Sequence, residues 1–289
     1  MNDTYKGEFM PSLILEGGTF RPIFSAGVMD ALLDNNIMFP YCIGVSAGIT
    51  NGVSYLSKQY KRNLEILEDF RLDKRYLGFR NFFKCKSLFG LDFVFDEIPN
   101  KLKPFDMETF QQYEGTVLAG VTNATTGKIE YFNAKDIDEK CLMLRATCAI
   151  PMFFPAIEIN NDFYYDGGLC DPIPIKKAIE DGNVKHLIIL TRPKEYRKKL
   201  ENGNKITAKL IKKRFPNLVE PLLTRHIHYN ETVRFCEDLE KEGKAIIIRP
   251  TANQSINSFE KDITNLRQGW QDGYDSATLK INEIRKLFE

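Results

Sequence analysis

Gly44-Val45-Ser46-Ala47-Gly48 places a serine two residues after one glycine and two before another. The pentapeptide joins a strand-like run, Tyr41 to Gly44, to a helical one, Ala47 to Leu56. A serine on a sharp strand-to-helix turn projects its hydroxyl clear of the sheet. Gly44 and Gly48 keep Cβ atoms out of that turn. The helix N-terminus behind it favours the negative charge of an alkoxide or a tetrahedral oxyanion. The spacing points to Ser46 as the nucleophile of an acyl transfer, against the plainer alternative of a helix-capping serine.

A serine hydroxyl is a weak nucleophile and needs a base. The histidines are His186, His226 and His228. His186 opens a strand-like run, and the other two lie in a charged helical stretch, where surface or capping roles are the ordinary reading. Asp166-Gly167-Gly168 offers a carboxylate at the end of the Phe163 to Tyr165 run, followed by two glycines that let another loop approach closely. The same tripeptide also marks ordinary turns. Glu16-Gly17-Gly18-Thr19-Phe20-Arg21 follows the first apolar run. Successive N–H groups in such a glycine turn form a nest for an anion, either a phosphate or a reaction oxyanion. Neither G-x-x-x-x-G-K-[ST] nor G-x-G-x-x-G is present.

The elements that must position these residues alternate. Ser12 to Leu15 reads as a buried strand, Pro22 opens a helix that ends at Asn35-Asn36, Tyr41 to Gly44 is a second strand, and Ala47 to Leu56 a second helix. Strand–helix–strand–helix in so short a span implies a parallel sheet with helices on its faces. Farther on, Thr116 to Asn123, Lys128 to Asn133, Ile157 to Ile159, Phe163 to Tyr165, His186 to Leu190 and Ala245 to Arg249 read as strands. Ile137 to Ala149 and Ile173 to Glu180 read as helical, and Leu218 to Lys241 and Phe259 to Phe288 as mostly helical and amphipathic.

Taken together and in this order, GGTFR, GVSAG and DGG resemble the patatin-like phospholipase family over roughly residues 12–190. The flanking EGGTFRPIFSAGVMDALL and YYDGGLCDPIPIKKAIEDG, and the tail HYNETVRFCEDLEKEGKAIIIRP, look like its bacterial branch, which carries an extra C-terminal region. The resemblance implies a three-layer α/β/α sandwich with a mostly parallel central sheet and a helical C-terminal extension. It implies a domain over 10–190 and a mostly helical region over 191–289 packed on it. It further implies a Ser–Asp dyad, with Ser46 as nucleophile and Asp166 as base. The amides around Gly17, Gly18 and Thr19 would form the oxyanion hole, supported by Arg21, Gly44, Gly48, Gly167 and Gly168. The sequence departs from the family where Thr19 replaces a third glycine and Pro22 another.

The expected reaction is hydrolysis of a carboxylic ester of an acyl lipid. Rival readings are a Ser-His-Asp triad esterase using His226 or His228, and a non-catalytic lipid- or protein-binding module on the same fold. No cluster with metal-ligand spacing appears, so neither metal nor cofactor is expected. Lys plus Arg total 40 against 39 Asp plus Glu, which excludes a strongly basic nucleic-acid binder. The cysteines lack C-x-x-C spacing and read as buried free thiols of a reducing compartment. No apolar run is long enough to span a membrane, and the first residues lack a signal peptide's apolar stretch. A cytoplasmic protein in peripheral contact with the inner membrane surface is the expectation.

Two segments stand apart. Arg71 to Phe95 holds seven aromatics and six basic residues against two acidic ones. It reads as an acyl-facing lid or as an insertion packed on the main domain. Arg192 to Arg214 holds ten basic residues against Glu195 and Glu201. It reads as a solvated face or as a contact for anionic lipid or a nucleic acid backbone.

Overall fold

A computed structural model describes residues 10–78, 81, 87–137 and 140–289. Its centre is an eight-stranded sheet. The strands are β1 (Pro11–Leu15), β2 (Tyr41–Val45), β3 (Thr116–Asn123), β4 (Ile129–Asn133), β5 (Ile157–Ile159), β6 (Asp162–Asp166), β7 (Lys185–Ile189) and β8 (Ala245–Ile248). They run in the order β5-β6-β3-β2-β1-β7-β8, with β4 paired to β3. β1, β2, β3, β7 and β8 form the parallel part, and β4, β5 and β6 join antiparallel.

The parallel strands are apolar on both faces because helices cover both. Along β1, Leu13 and Leu15 pack with Phe24, Val28 and Leu32 of α1 (Ile23–Asp34) and Ile49 and Val53 of α2 (Ala47–Leu56). Ile14, between them, points the other way and packs with Ile43, Ile188 and Ile247 against Tyr229 and Val233. Those last two belong to the long helix Val219–Lys241. The period-2 alternation of a strand thus divides one apolar run between two helical layers.

The C-terminal segment joins this core from two directions. β8 extends the parallel sheet beside β7. Helix Ile263–Thr278 lies across α1 with main chain against main chain. A Cβ on Gly27 would stand 1.8 Å from Trp270 O, and one on Gly273 would stand 2.0 Å from Phe24 O. The Trp270 indole N–H donates to the buried Asp30 carboxylate at 2.7 Å, and the Tyr274 hydroxyl donates to Asp34 at 2.7 Å. Burial raises the Asp30 pKa to about 6.

One helical expectation needs correction. Among the described residues of the run from Ile137 to Ala149, the helix covers Leu142–Thr147. Ile137 has extended backbone, and Cys141 takes φ 51°, left-handed geometry that no α-helix passes through. The stretch from Phe259 to Phe288 is mostly helical as expected, starting at Ile263, where the Asp262 carboxylate caps the Thr264 N–H at 2.8 Å, and resuming at Ile281 after a break beyond Thr278. The expected lid over Arg71 to Phe95 falls in part outside the described residues. Among the described residues no helix is long and apolar enough to cross a membrane.

Candidate active site

β3 works as a ruler. Val45, the last residue of β2, pairs with Gly120, and Asp166, the last residue of β6, pairs with the next one, Val121. β4 holds the other edge of β3 through both positions, since Gly120 pairs with Tyr131 and Val121 with Glu130. β6 therefore enters where β2 leaves. Ser46, one residue beyond Val45, arrives beside Asp166. A Cβ on Gly167 would meet Gly120 O at 2.2 Å, so only glycine lets the chain turn away at that point.

Ser46 has φ 55° and ψ −140°, a conformation that L residues adopt only when held in it. Two contacts hold it. Its N–H donates to Thr147 Oγ1 at 2.8 Å, and the Thr147 hydroxyl donates to Gly120 O at 2.6 Å. Gly44 and Gly48 are required by packing, since their Cβ atoms would stand 2.8 Å from Leu15 Cβ and 2.6 Å from Glu16 O. The turn expected from the pentapeptide is present, and its glycines are where β1 crosses it.

The Asp166 carboxylate is buried. It accepts the Gly168 N–H at 2.7 Å and shares a cavity wall with Ser46, whose side chain acts on its pKa. Burial raises its pKa, while Arg225, Ser46 and the Gly168 amide pull it back. Arg225 is anchored through its Nε–H to Gly168 O. A base must be ionised to accept a proton, so a raised pKa moves the acidic limb of activity upward. With Asp166 as base, kcat/KM for a neutral ester should fall as pH drops through a midpoint above the ordinary aspartate value of about 3.9. A pH–rate profile on p-nitrophenyl butyrate checks this. A limb at or below the ordinary value would exclude the buried carboxylate as the titrating base.

The glycine loop lies against the serine. A Cβ on Gly17 would stand 2.8 Å from Ser46 Cβ. Gly18 has φ 152°, and the Arg21 guanidinium covers it so closely that a Cβ there would stand 2.6 Å from a guanidinium nitrogen. Buried Glu16 anchors the start of the loop by accepting the Thr191 N–H at 2.6 Å and the Tyr229 hydroxyl at 3.1 Å. Arg21 anchors its end, donating to Thr191 Oγ1 at 3.3 Å and to Ser258 Oγ. Among the described residues, no protein group accepts the N–H of Gly17, Gly18 or Thr19. These are the donors an oxyanion would need.

Thr19 occupies φ 58°. A β-branched side chain is strained there by about 1–2 kcal/mol. Glycine would remove that strain and add backbone entropy to the unfolded chain worth about 0.5–1 kcal/mol. Thr19→Gly should therefore stabilise the protein by roughly 0.5–1 kcal/mol, read from urea denaturation. Destabilisation would show that the threonine side chain contributes packing that outweighs its strain.

The histidines stand elsewhere. His186 is buried in β7, with Nδ1 2.7 Å from Ser12 Oγ and its pKa lowered to about 4 by burial. His226 and His228 line neither of the cavities that meet at Ser46. Sequence reasoning does not single out Thr147, Cys148, Thr191, Arg225 or Ser258. Cys148 lines the apolar cavity with Ser46, and burial raises its thiol pKa well above the usual value, so it is a neutral neighbour.

Ser46 sits where two cavities meet. One, of about 250 Å³, is apolar and is lined by Phe20, Tyr76, Phe89, Phe95 and Ile98. A π-helix over Phe93–Leu102, wide enough to admit Pro99, supplies part of that wall. The other, of about 210 Å³, is polar and contains Asp166 and the glycine loop. Thr19, Phe153 and Phe259 border both.

The patatin-like phospholipase family model matches residues 13–179, which takes in all three motifs. The chain belongs to the patatin-like phospholipase family. A second model, a domain of unknown function (DUF6363), matches residues 215–289. The chain is 24% identical over 192 residues to the uncharacterized protein YjjU of Escherichia coli, covering 64% of this chain and 52% of that protein. It is 25% identical over 198 residues to the probable lipid hydrolase 463L of invertebrate iridescent virus 6, covering 63% and 67%. The chain thus spans about half the length of the first of these relatives. It also aligns with the crystal structure of VipD from Legionella pneumophila at 15% identity and a TM-score of 0.47, covering 96% of this chain and 67% of that one.

Proposed function

We propose that the protein hydrolyses carboxylic esters of acyl lipids through a Ser46–Asp166 dyad. The observation that carries this reading is the meeting of three things at one point. Ser46 shares a cavity wall with a buried carboxylate on whose pKa it acts, three N–H groups without a protein acceptor among the described residues lie beside it, and an apolar cavity opens from it. Membership of the patatin-like phospholipase family and the lipid-hydrolase name of the viral relative support the substrate class.

In the first step Ser46 Oγ bonds to the acyl carbon as its proton moves to Asp166. The carbonyl oxygen becomes an oxyanion facing Gly17, Gly18 and Thr19. Each such donor contributes about 2.7–4 kcal/mol to transition-state stabilisation. The carbon–alkoxide bond then breaks, and the alcohol leaves with the proton held by Asp166. Water, deprotonated by the same carboxylate, releases the acid and restores Ser46. An aspartate is a weak base, so the fixed geometry and the oxyanion donors supply most of the rate. The acyl chain lies in the apolar cavity. Phe153 and Phe259 are exposed at the border of both cavities, 38% and 41%, where they would meet a lipid surface.

The test is hydrolysis of p-nitrophenyl butyrate with EDTA present, alongside labelling by a fluorophosphonate. The expected result is turnover that EDTA leaves unchanged and a label on Ser46. Absence of both on a folded protein would favour the binding-module reading.

A further inference from the structure

The polar cavity on the far side of Ser46 from the acyl cavity is cationic. Arg21, Arg192, Lys198 and Arg225 line it, against the carboxylates Glu16, Asp166 and Glu201. Two of those carboxylates are already used, Glu16 on the Thr191 N–H and Tyr229, and Asp166 on the Gly168 N–H. Among the described residues none of the four cations forms an ion pair. Neutral groups hold them instead. Arg21 is held by two hydroxyls, Arg225 by Gly168 O, and Arg192 over the Tyr196 ring at 4.5 Å.

Lys198 is set in place through its backbone. Its N–H donates to Asn230 Oδ1 at 2.8 Å, and Asn230 Nδ2 donates to its carbonyl at 2.9 Å. That exchange ties the loop to helix Val219–Lys241 and leaves the ammonium over the Tyr229 ring, 5.3 Å from its centre. Burial, with Arg225 and Arg21 nearby, lowers the Lys198 pKa to about 8 against the opposing pull of Glu16 and Glu201. The four cations outnumber the three carboxylates, and with Glu16 and Asp166 already hydrogen-bonded to other groups an added anion would complete the cluster. The basic run from Arg192 to Arg214 thus divides: Arg192 and Lys198 face this cavity, while Lys209, Lys212 and Lys213 are exposed.

We propose that this cavity is a subsite for a phosphate-bearing head group on the leaving alcohol, read chiefly by Arg192, Lys198 and Arg225. The inference rests on the acyl-hydrolase reading, because Ser46 at the junction of the two cavities sets acyl chain and alcohol on opposite sides. The preferred substrates are anionic monoacyl or diacyl glycerophosphates rather than neutral glycerides. Phosphate binds here in the ground state as well as in the transition state, so the preference resides in KM.

The experiment compares 1-acylglycerol 3-phosphate with the monoacylglycerol of the same chain, both at monomeric concentration, for wild type, Lys198→Met and Arg192→Gln. Wild type is expected to favour the phosphate by about tenfold or more in kcat/KM, the worth of one charge-assisted hydrogen bond. Each variant should shrink that ratio, mainly through KM. No preference in wild type, or an undiminished ratio in both variants, overturns the proposal. Glycerol 3-phosphate should inhibit butyrate hydrolysis at lower concentration than inorganic phosphate. Equal potency assigns the site to the free anion and overturns the head-group reading. If wild type hydrolyses no ester, the hydrolase reading fails separately, and calorimetric titration of glycerol 3-phosphate decides the subsite. Binding that Lys198→Met weakens retains it, and no binding by wild type removes it.

Discussion

Ser46→Ala is expected to lower kcat for p-nitrophenyl butyrate by at least about 10³-fold while leaving the fold intact. Only Oγ is lost. The Ser46 N–H that fixes the turn through Thr147 is untouched, and the side chain is barely exposed. The loss is therefore a loss of chemistry. Asp166→Asn keeps a carboxamide oxygen able to accept the Gly168 N–H, now held at 2.7 Å, but removes the base. A base of this kind contributes about 10²–10⁴-fold, so Asn should cost that much. The two changes together should cost no more than Ser46→Ala alone, because a base has no role without its nucleophile. Ester turnover surviving in Ser46→Ala would remove that serine from the mechanism. Full activity in Asp166→Asn would remove the dyad while leaving the serine. Ser46→Gly adds a stability reading. It relieves the φ of 55° and should make the inactive protein more stable than Ser46→Ala, whose methyl keeps the strain.

Gly27→Val is expected to be the most destabilising single change outside the active site, by about 3 kcal/mol or more. A Cβ at position 27 would stand 1.8 Å from Trp270 O and 2.9 Å from Tyr274 N. Both neighbours are main chain and cannot rotate away, so the helices must part. Parting them also breaks the Trp270–Asp30 hydrogen bond in a buried setting. α1 follows directly on the glycine loop, so activity should fall with stability. Gly203→Ala is the matched control. It lies in helix Asn202–Ile211 with nothing within 4 Å of the added carbon, and should be neutral or stabilising by up to about 1 kcal/mol. Thermal and urea denaturation of both variants checks the contrast. A Gly27→Val protein as stable as wild type would mean that the two helices do not pack main chain to main chain.

Much of the fold is legible in the sequence where local chemistry decides it. Helix Ala47–Leu56 and strand Thr116–Asn123 coincide with their sequence boundaries, because glycine turns and asparagine-rich ends punctuate them. Helix Leu142–Thr147 is shorter than its pattern, because the left-handed backbone at Cys141 leaves no trace in apolar periodicity. At the site, three motifs at strand ends are visible in the sequence, but their meeting is not. That depends on β6 taking the edge of β3 that β2 vacates, a pairing between distant segments. Arg225 meets Gly168 across 57 residues and Arg21 meets Ser258 across 237, contacts for which spacing offers no signal. Lys198 is one lysine in a basic run until the bond to Asn230 turns its loop inward.

The packing of helix Ile263–Thr278 on α1 has a consequence in time. Asp30 and Trp270 are 240 residues apart. During synthesis at roughly 5–20 residues per second, α1 waits on the order of ten to fifty seconds for the surface that covers it. Until then Phe24, Ile23 and the bare Gly27 face solvent or whatever binds nascent chains, and the glycine loop ahead of them lacks the Ser258 contact. The proposed catalytic centre is encoded early and completed late. A chain stalled before residue 258 would carry Ser46 and Asp166 and still lack the contact that anchors Arg21 and the glycine loop, so under the proposed mechanism the growing polypeptide would stay inert.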